Sequence, residues 1–425
     1  MKTTFLFFIL ISLQLTASTQ VNFADYFVDK TMRMDYSIAG DKTSQHLYFE
    51  QLKQEPYWGG SLKNLIDTLN RGDYFLKIFD DSTGNLIYSR GYSDLFFEWQ
   101  DTEEAKLLPR SYYGSVVFPC PIRPFTIELS RRKYTTFFSP LFSHSFDPNH
   151  YSISKNAVPE YPVEDIILSG NPHQKIDIVI LPEGYQSSEM EKFRKDADKF
   201  MKYFFSCEPF KSYKSSFNVH LIMAPSVNSG TDIPGRGVWK NTLLNSHFFT
   251  FDSDRYLTTR DVKSLRDLAA CTAYDQIYVL VNSDYYGGGG IFNFYSLATS
   301  DHPESKQVFV HEFGHAFAAL ADEYAYEDTP VESLYNPAME TWHPNISNLV
   351  DLNSKWKDLI EEGTLVPTPV SKATVGKIGA FEGAGYVQKG MYRPAFDCRM
   401  RSNQTGNFCP VCEREIIRMI KFYTD

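Results

Sequence analysis

Residues 305–326 read SKQVFVHEFGHAFAALADEYAY. Val308, Phe309, Val310, Phe313, Phe317 and Leu320 give this stretch the apolar content of a buried helix, yet His311, Glu312 and His315 stand in its middle. Each polar group left unpaired in an apolar interior costs roughly a few kcal/mol. Something must compensate them. On a helix, residues four apart share a face, one turn apart. His311 and His315 can therefore place two imidazole nitrogens on one Zn²⁺, at about 2.0–2.1 Å each. Glu312 projects about 100° away around the helix. From there it can act as general base on a water at the metal. Zinc in such a site lowers the pKa of that water towards ~7 and polarises a scissile carbonyl. The competing reading is a pair of hydrogen-bonded core histidines with Glu312 in a salt bridge.

A catalytic zinc takes three protein ligands and keeps one position open. Asp322 lies seven residues past His315, about 10.5 Å further along a straight helix. Direct ligation therefore requires the helix to end near Leu320 and the chain to bend back. Asp322 is then the expected third ligand and Glu323 the alternative. A downstream Glu327, Glu332 or Glu340 would give the layout in which the third ligand comes from a separate helix.

Upstream, residues 166 onwards alternate strand and helix. KIDIVILPEGY, FNVHLIMAP, QIYVLVN and IFNFYSLA read as strands. SEMEKFRKDADKFMKYFF reads as an amphipathic helix with Met190, Phe193, Ala197, Phe200, Met201 and Phe204 on one face. Ser188 and Glu191 form a capping-box pattern at its start. Asp301 and Pro303 are suitable residues for starting the helix that carries the histidines. This order predicts a mostly parallel sheet covered by helices. GGGG at 287–290 lacks the Lys-Ser/Thr of a phosphate loop. It allows a strand edge to approach a cleft, and IFNFYSLA could then pair with an extended substrate; a plain flexible loop is the alternative.

Residues 20–145 look all-β. DYFLKIFDDSTGNLIYSRGY is a hairpin pattern, and YYGSVVFPCPIRPFTIEL predicts two short strands broken by Pro119, Pro121 and Pro124. Together they suit a β-sandwich. Residues 146–165, rich in Ser, Asn and Pro, read as a linker to a catalytic domain at 166–425. Residues 1–19 carry Lys2, the apolar run FLFFILISL and small residues, the pattern of a cleaved export signal. A soluble monomer, secreted, periplasmic or at the cell surface, is the expected product, with no membrane span in the mature chain. The net charge of −10 and the lack of a basic stripe argue against a nucleic-acid partner. The six cysteines are Cys120, Cys207, Cys271, Cys398, Cys409 and Cys412. In a cytosolic protein CPVC would suggest zinc or redox chemistry. In an exported chain a local disulfide to Cys398 is the better reading.

These features resemble the bacterial IgA-protease-type zinc metallopeptidases, a metzincin-like group. The resemblance rests on HEFGHAFAALADEY, on YGGGGIFNFYSLAT before it, and on GAGYVQKGMYRPAFDCRM with FCPVC after it. WKNTLLNSHFFTFDSDRYL and, in the β-rich part, LIYSRGYSDLFFEWQDTEEA also fit. It implies an α+β multidomain protein: a β-sandwich, then an α/β metzincin-like zinc peptidase domain. It implies His311 and His315 as ligands, Glu312 as base, Asp322 as third ligand and Met400 as the Met-turn residue beneath the metal. On its residue type alone Met400 is an ordinary core filler. The cysteines would tie the Met-turn to the last helix, CEREIIRMIKFY. Tyr392 is either an oxyanion donor or a structural tyrosine. Ala318 stands where better-known metzincins have a helix-breaking glycine. The implied activity is hydrolysis of a protein or peptide substrate. The competing class is an adhesion or binding protein with a structural, inactive metal site.

Overall fold

The computed structural model describes residues 20–133, 135–326, 331 and 334–425. The export-signal residues 1–19 lie outside them. The chain begins with helix α1 (Phe23–Tyr26) and strands β1 (Phe27–Gly40), β2 (Gln45–Glu55), β3 (Tyr74–Asp80) and β4 (Leu86–Tyr92). Helix α2 (Leu95–Trp99) and strands β5 (Arg110–Pro121), β6 (Phe125–Arg132) and β7 (Phe138–Phe146) complete the first part. Two antiparallel sheets result, ordered β2-β1-β5 and β4-β3-β6-β7. Met32, Met34, Tyr36 and Ile38 of one sheet share a buried core with Leu76, Ile78, Ile127 and Leu129 of the other. The period-2 alternation of these residues puts each set on one face of its strand. The predicted hairpin is β3–β4. The prolines do not break the chain as the sequence suggests: β5 runs twelve residues through Pro119 and Pro121. It is the outer strand of its sheet, where a missing N–H costs no ladder bond. Its register against β1 shifts between Val28 and Thr31, opposite these prolines.

The second part starts with β8 (Val163–Ile167), which begins inside the stretch that reads as linker and runs past its end. It continues with β9 (Ile176–Glu183), α3 (Met190–Phe204), β10 (Phe217–Ile222), α4 (Val262–Ala269), β11 (Gln276–Val281), β12 (Gly288–Ile291) and β13 (Tyr295–Thr299). Helix α5 (Ser305–Ala318), strands β14 (Ala325–Tyr326), β15 (Phe381–Ala384) and β16 (Tyr386–Arg393), and helix α6 (Pro410–Thr424) follow. Six strands form one sheet in the order β12-β13-β11-β9-β10-β8. Its four central strands are parallel and its two outer strands antiparallel. Strands β9, β10 and β11 are buried at every position, as strands covered on both faces are. IFNFYSLA is not one strand: Ile291 ends β12, and Asn293, at φ 51°, turns the chain into β13. The capping box before α3 is formed by Gln186 and Glu189, two residues earlier than its sequence pattern suggests.

Alternation along the central strands feeds two cores. Ile178, Ile180, Val219, Leu221, Tyr278 and Leu280 pack with α3, α5 and α6. Val179, Leu181, Val279 and Val281 on the opposite face join α4 and the N-terminal sheets in one continuous core. The β-rich part is thus fused to the back of the large sheet. Polar ties cross the same junction: Asp267 of α4 pairs with Arg33 and Lys53 at 2.9 and 2.7 Å. Among the described residues no helix is long and apolar enough to cross a membrane.

Candidate metal centre and cleft

Helix α5 presents His311 and His315 one turn apart, with their Nε2 atoms 3.0 Å from each other. A carbonyl oxygen can only accept, so each ring must carry its proton on Nδ1. His311 donates to the Arg399 carbonyl at 3.0 Å and His315 to the Leu320 carbonyl at 2.5 Å. When both rings are neutral, Nε2 is thus the nitrogen that offers a lone pair to a cation, the usual tautomer arrangement of metal-binding histidines.

The sharp bend that Asp322 requires is made without glycine. Helix α5 ends at Ala318, and Ala319 adopts the left-handed conformation at φ 58°. The N–H of Ala319 bonds the His315 carbonyl at 3.0 Å, and that of Leu320 bonds the Gly314 carbonyl at 3.3 Å. The first of these is the 5→1 bond of an αL closure. It also aims the Leu320 carbonyl at His315. Beyond it, Asn345 clamps the Ala321 amide and carbonyl at 2.7 and 2.9 Å. A left-handed alanine costs about 1 kcal/mol more than glycine would. Ala319→Gly is therefore expected to leave metal content unchanged and raise stability by no more than about 0.6 kcal/mol, after allowing about 0.4–1 kcal/mol for glycine's greater unfolded-state freedom. Urea unfolding of the two proteins measures this.

Asp322 then lies with Oδ1 3.0 Å from His311 Nε2 and 3.4 Å from His315 Nε2. Its Oδ2 accepts from Tyr386. Oδ1 is buried and takes no hydrogen bond from the described residues. Burial works against the Asp322 charge, but the two imidazoles outweigh it and hold the carboxyl well below its usual range. Burial likewise opposes a charged His315, yet Asp322 outweighs it and pushes this imidazole up to about 9. A site this electronegative wants a cation at its centre. Two bare nitrogens and a carboxylate oxygen converging on one point suit a divalent metal such as zinc.

Glu312 faces the adjoining cleft, and burial raises its carboxyl above the ordinary glutamate range. The glycine run lies against it. A Cβ on Gly290 would fall 2.2 Å from the Glu312 carbonyl, and one on Gly288 would fall 2.9 Å from Glu312 Oε1. Only glycine lets β12, the outer strand of the sheet, run this close to the helix. The strand that borders the cleft is thus the glycine segment itself. The cleft has a volume of about 920 Å³. Its far wall comes from the N-terminal part: Asp73, Phe97, Glu98 and Asp101. Glu98 accepts from Tyr256, and burial pushes its carboxyl up to about 8.

The other candidate residues go elsewhere. Glu323 turns away from the histidines and accepts from Asn345 Nδ2 at 2.9 Å. Glu340 bonds Ser347 and the Asp351 amide, each at 2.9 Å. Glu327 and Glu332 lie outside the described residues. Met400 is fully buried in a turn beneath α5, where a Cβ on Gly314 would fall 2.9 Å from its Sδ. Tyr392 pairs through its backbone with Ser347 and does not line the cleft. Tyr386, Tyr324 and Tyr256 do; no spacing pattern in the sequence singles them out. The expected disulfide is not formed: none of the six cysteines is bonded to another.

Two family descriptions match the chain. IgA Peptidase M64 matches residues 165–378 and 371–420, and Peptidase M64 N-terminus matches residues 22–143. The first covers the sheet, the histidine helix and the Met400 turn, and defines the protein as a peptidase. The chain belongs to the IgA Peptidase M64 family, with the family's N-terminal domain in place. No curated protein matches it.

Proposed function

We propose that the protein is an exported zinc endopeptidase that cuts an extended segment of a protein substrate. His311, His315 and Asp322 hold the metal, and Glu312 is the general base. The observation that carries this reading is the convergence of two Nε2 atoms and Asp322 Oδ1 at the floor of a cleft, beside the half-buried Glu312. When bound, zinc supplies a Lewis acid for the scissile carbonyl and makes water acidic enough to ionise near neutral pH. Glu312 takes the proton from the attacking water and passes it to the departing amine. The carbonyls of Arg399 and Leu320 fix both imidazoles in the required tautomer, and Tyr386 fixes Asp322. Met400 packs under the helix between the two histidines. Export is proposed from residues 1–19, and N-terminal sequencing of the mature protein checks it.

A closed, purely structural site needs neither a neighbouring base nor an open cleft, and both are present here. Treatment with 1,10-phenanthroline is expected to lower cleavage of a mixed peptide library at least about 100-fold, and added Zn²⁺ to restore it. Metal-free protein that cuts at the original rate would overturn the zinc mechanism.

A further inference from the structure

A second cluster of metal-binding side chains lies among the described residues: Glu323, Cys398, Cys409 and Cys412. They come from three places. Glu323 follows Asp322 after the α5 turn, Cys398 opens the turn that carries Met400, and Cys409 and Cys412 flank the first residues of α6. Their ligand atoms all lie within 4.8 Å of one another. Cys398, Cys412 and Glu323 are wholly buried and Cys409 is 4% exposed. Cys412 Sγ is 3.1 Å from Glu323 Oε1. The Cys409 amide donates to Cys398 Sγ at 3.2 Å.

Two observations separate this cluster from a disulfide. The Sγ atoms of Cys398 and Cys412 are 3.8 Å apart, whereas a disulfide needs about 2.05 Å. With metal–sulfur bonds of about 2.3 Å, a tetrahedral site spaces its sulfurs about 3.8 Å apart. Secondly, Glu323 Oε2 is buried and has no hydrogen-bond partner among the described residues. A carboxylate oxygen beside three thiols in an apolar core is costly unless a cation meets it. Three cysteines and one carboxylate supply four ligands, which closes a tetrahedron. The start of α6 further favours thiolates at Cys409 and Cys412.

We propose that Glu323, Cys398, Cys409 and Cys412 form a second, structural zinc site. Thiolate ligands select zinc over the hard divalent ions. Each coordinating thiol gives up its proton to solvent as the ion binds. The site ties together the three segments that shape the cleft metal centre. The Glu323 amide donates to the Met400 carbonyl at 2.8 Å, and the Arg399 carbonyl holds His311. The first contact is made by a proposed ligand itself, the second by the residue after Cys398. The second ion would thus set the position of Asp322 and of the turn beneath the histidines. This proposal does not depend on cleavage activity.

Elemental analysis of the purified full chain is expected to give two zinc ions per molecule. The His311→Ala, His315→Ala double variant should keep one. X-ray absorption at the zinc edge of that variant should show sulfur at about 2.3 Å. The Cys409→Ser, Cys412→Ser variant should lose one zinc. Because that variant can fail to fold, thiols are also counted in the unaltered chain, denatured in chelator without reductant. Six free thiols are expected. Four thiols, a double histidine variant without metal, or a zinc shell lacking sulfur would each overturn the proposal.

Discussion

Glu312→Gln is expected to lower kcat for peptide cleavage about 10³-fold while zinc content and KM stay near their original values. The substitution keeps the shape of the side chain and removes only its capacity to accept and return a proton. Positioned acid–base catalysis contributes typically about 10²–10⁴-fold, and 10³ corresponds to about 4 kcal/mol of barrier. The side chain has little room to relocate, because β12 runs against it at Gly288 and against its backbone at Gly290. It contributes nothing to the proposed ligand set, so metal analysis should not change. The pH profile gives a second readout. Burial raises the Glu312 pKa, and the base works only when ionised. The rate should therefore fall as pH drops through that raised pKa, and the residual rate of the glutamine variant should lack this limb. Steady-state kinetics across pH measure both. A variant within threefold of the original kcat, with intact zinc, would remove Glu312 from the mechanism.

What could be read from the sequence was local. Histidines four apart define one helix face whatever surrounds them. Alternation in residues 73–92 specifies the β3–β4 hairpin, and continuous apolar runs specify β9, β10 and β11. What could not be read depends on contacts between distant segments. Pro119 and Pro121 are harmless only because β5 is an outer strand, a fact of sheet order. The bend that delivers Asp322 rests on Ala319, a residue type with no left-handed preference, and is secured by Asn345, which clamps Ala321 from 24 residues away. Asp322 and Glu323 are adjacent acids, and their opposite directions follow from Tyr386 and Cys412, both far along the chain. The wall formed by Glu98 was hidden for the same reason: the N-terminal part reads as a separate module, but its core is continuous with the large sheet.

That continuity places one N-terminal side chain under the metal centre. Arg71, in the connection between β2 and β3, is 4% exposed. Its guanidinium donates to the Ala318 carbonyl at 2.8 Å and to Glu415 Oε2 of α6 at 2.5 Å. Ala318 ends α5, where a carbonyl lacks an intrahelical partner and positive charge is favoured. Arg71 thus caps the histidine helix at the point where the chain turns towards Asp322. Arg71→Ala would strand the buried Glu415 carboxylate and expose the Ala318 carbonyl to an unfilled cavity. Breaking a buried pair from one side costs about 3–5 kcal/mol. Arg414 and Arg418 also reach Glu415, at 2.9 and 3.0 Å, so the lower end, about 3 kcal/mol, is expected. Arg71→Lys should recover only part of this, because an ammonium cannot reproduce the planar fork that serves both acceptors. Urea unfolding measures the loss, and a cycle with Glu415→Gln should show the two residues coupled by at least about 1 kcal/mol. Additive effects of the two changes would mean that the cap on Ala318, and not the ion pair, is what Arg71 contributes. A loss below about 1 kcal/mol for Arg71→Ala would mean that the N-terminal part merely covers the sheet and does not hold the histidine helix in place.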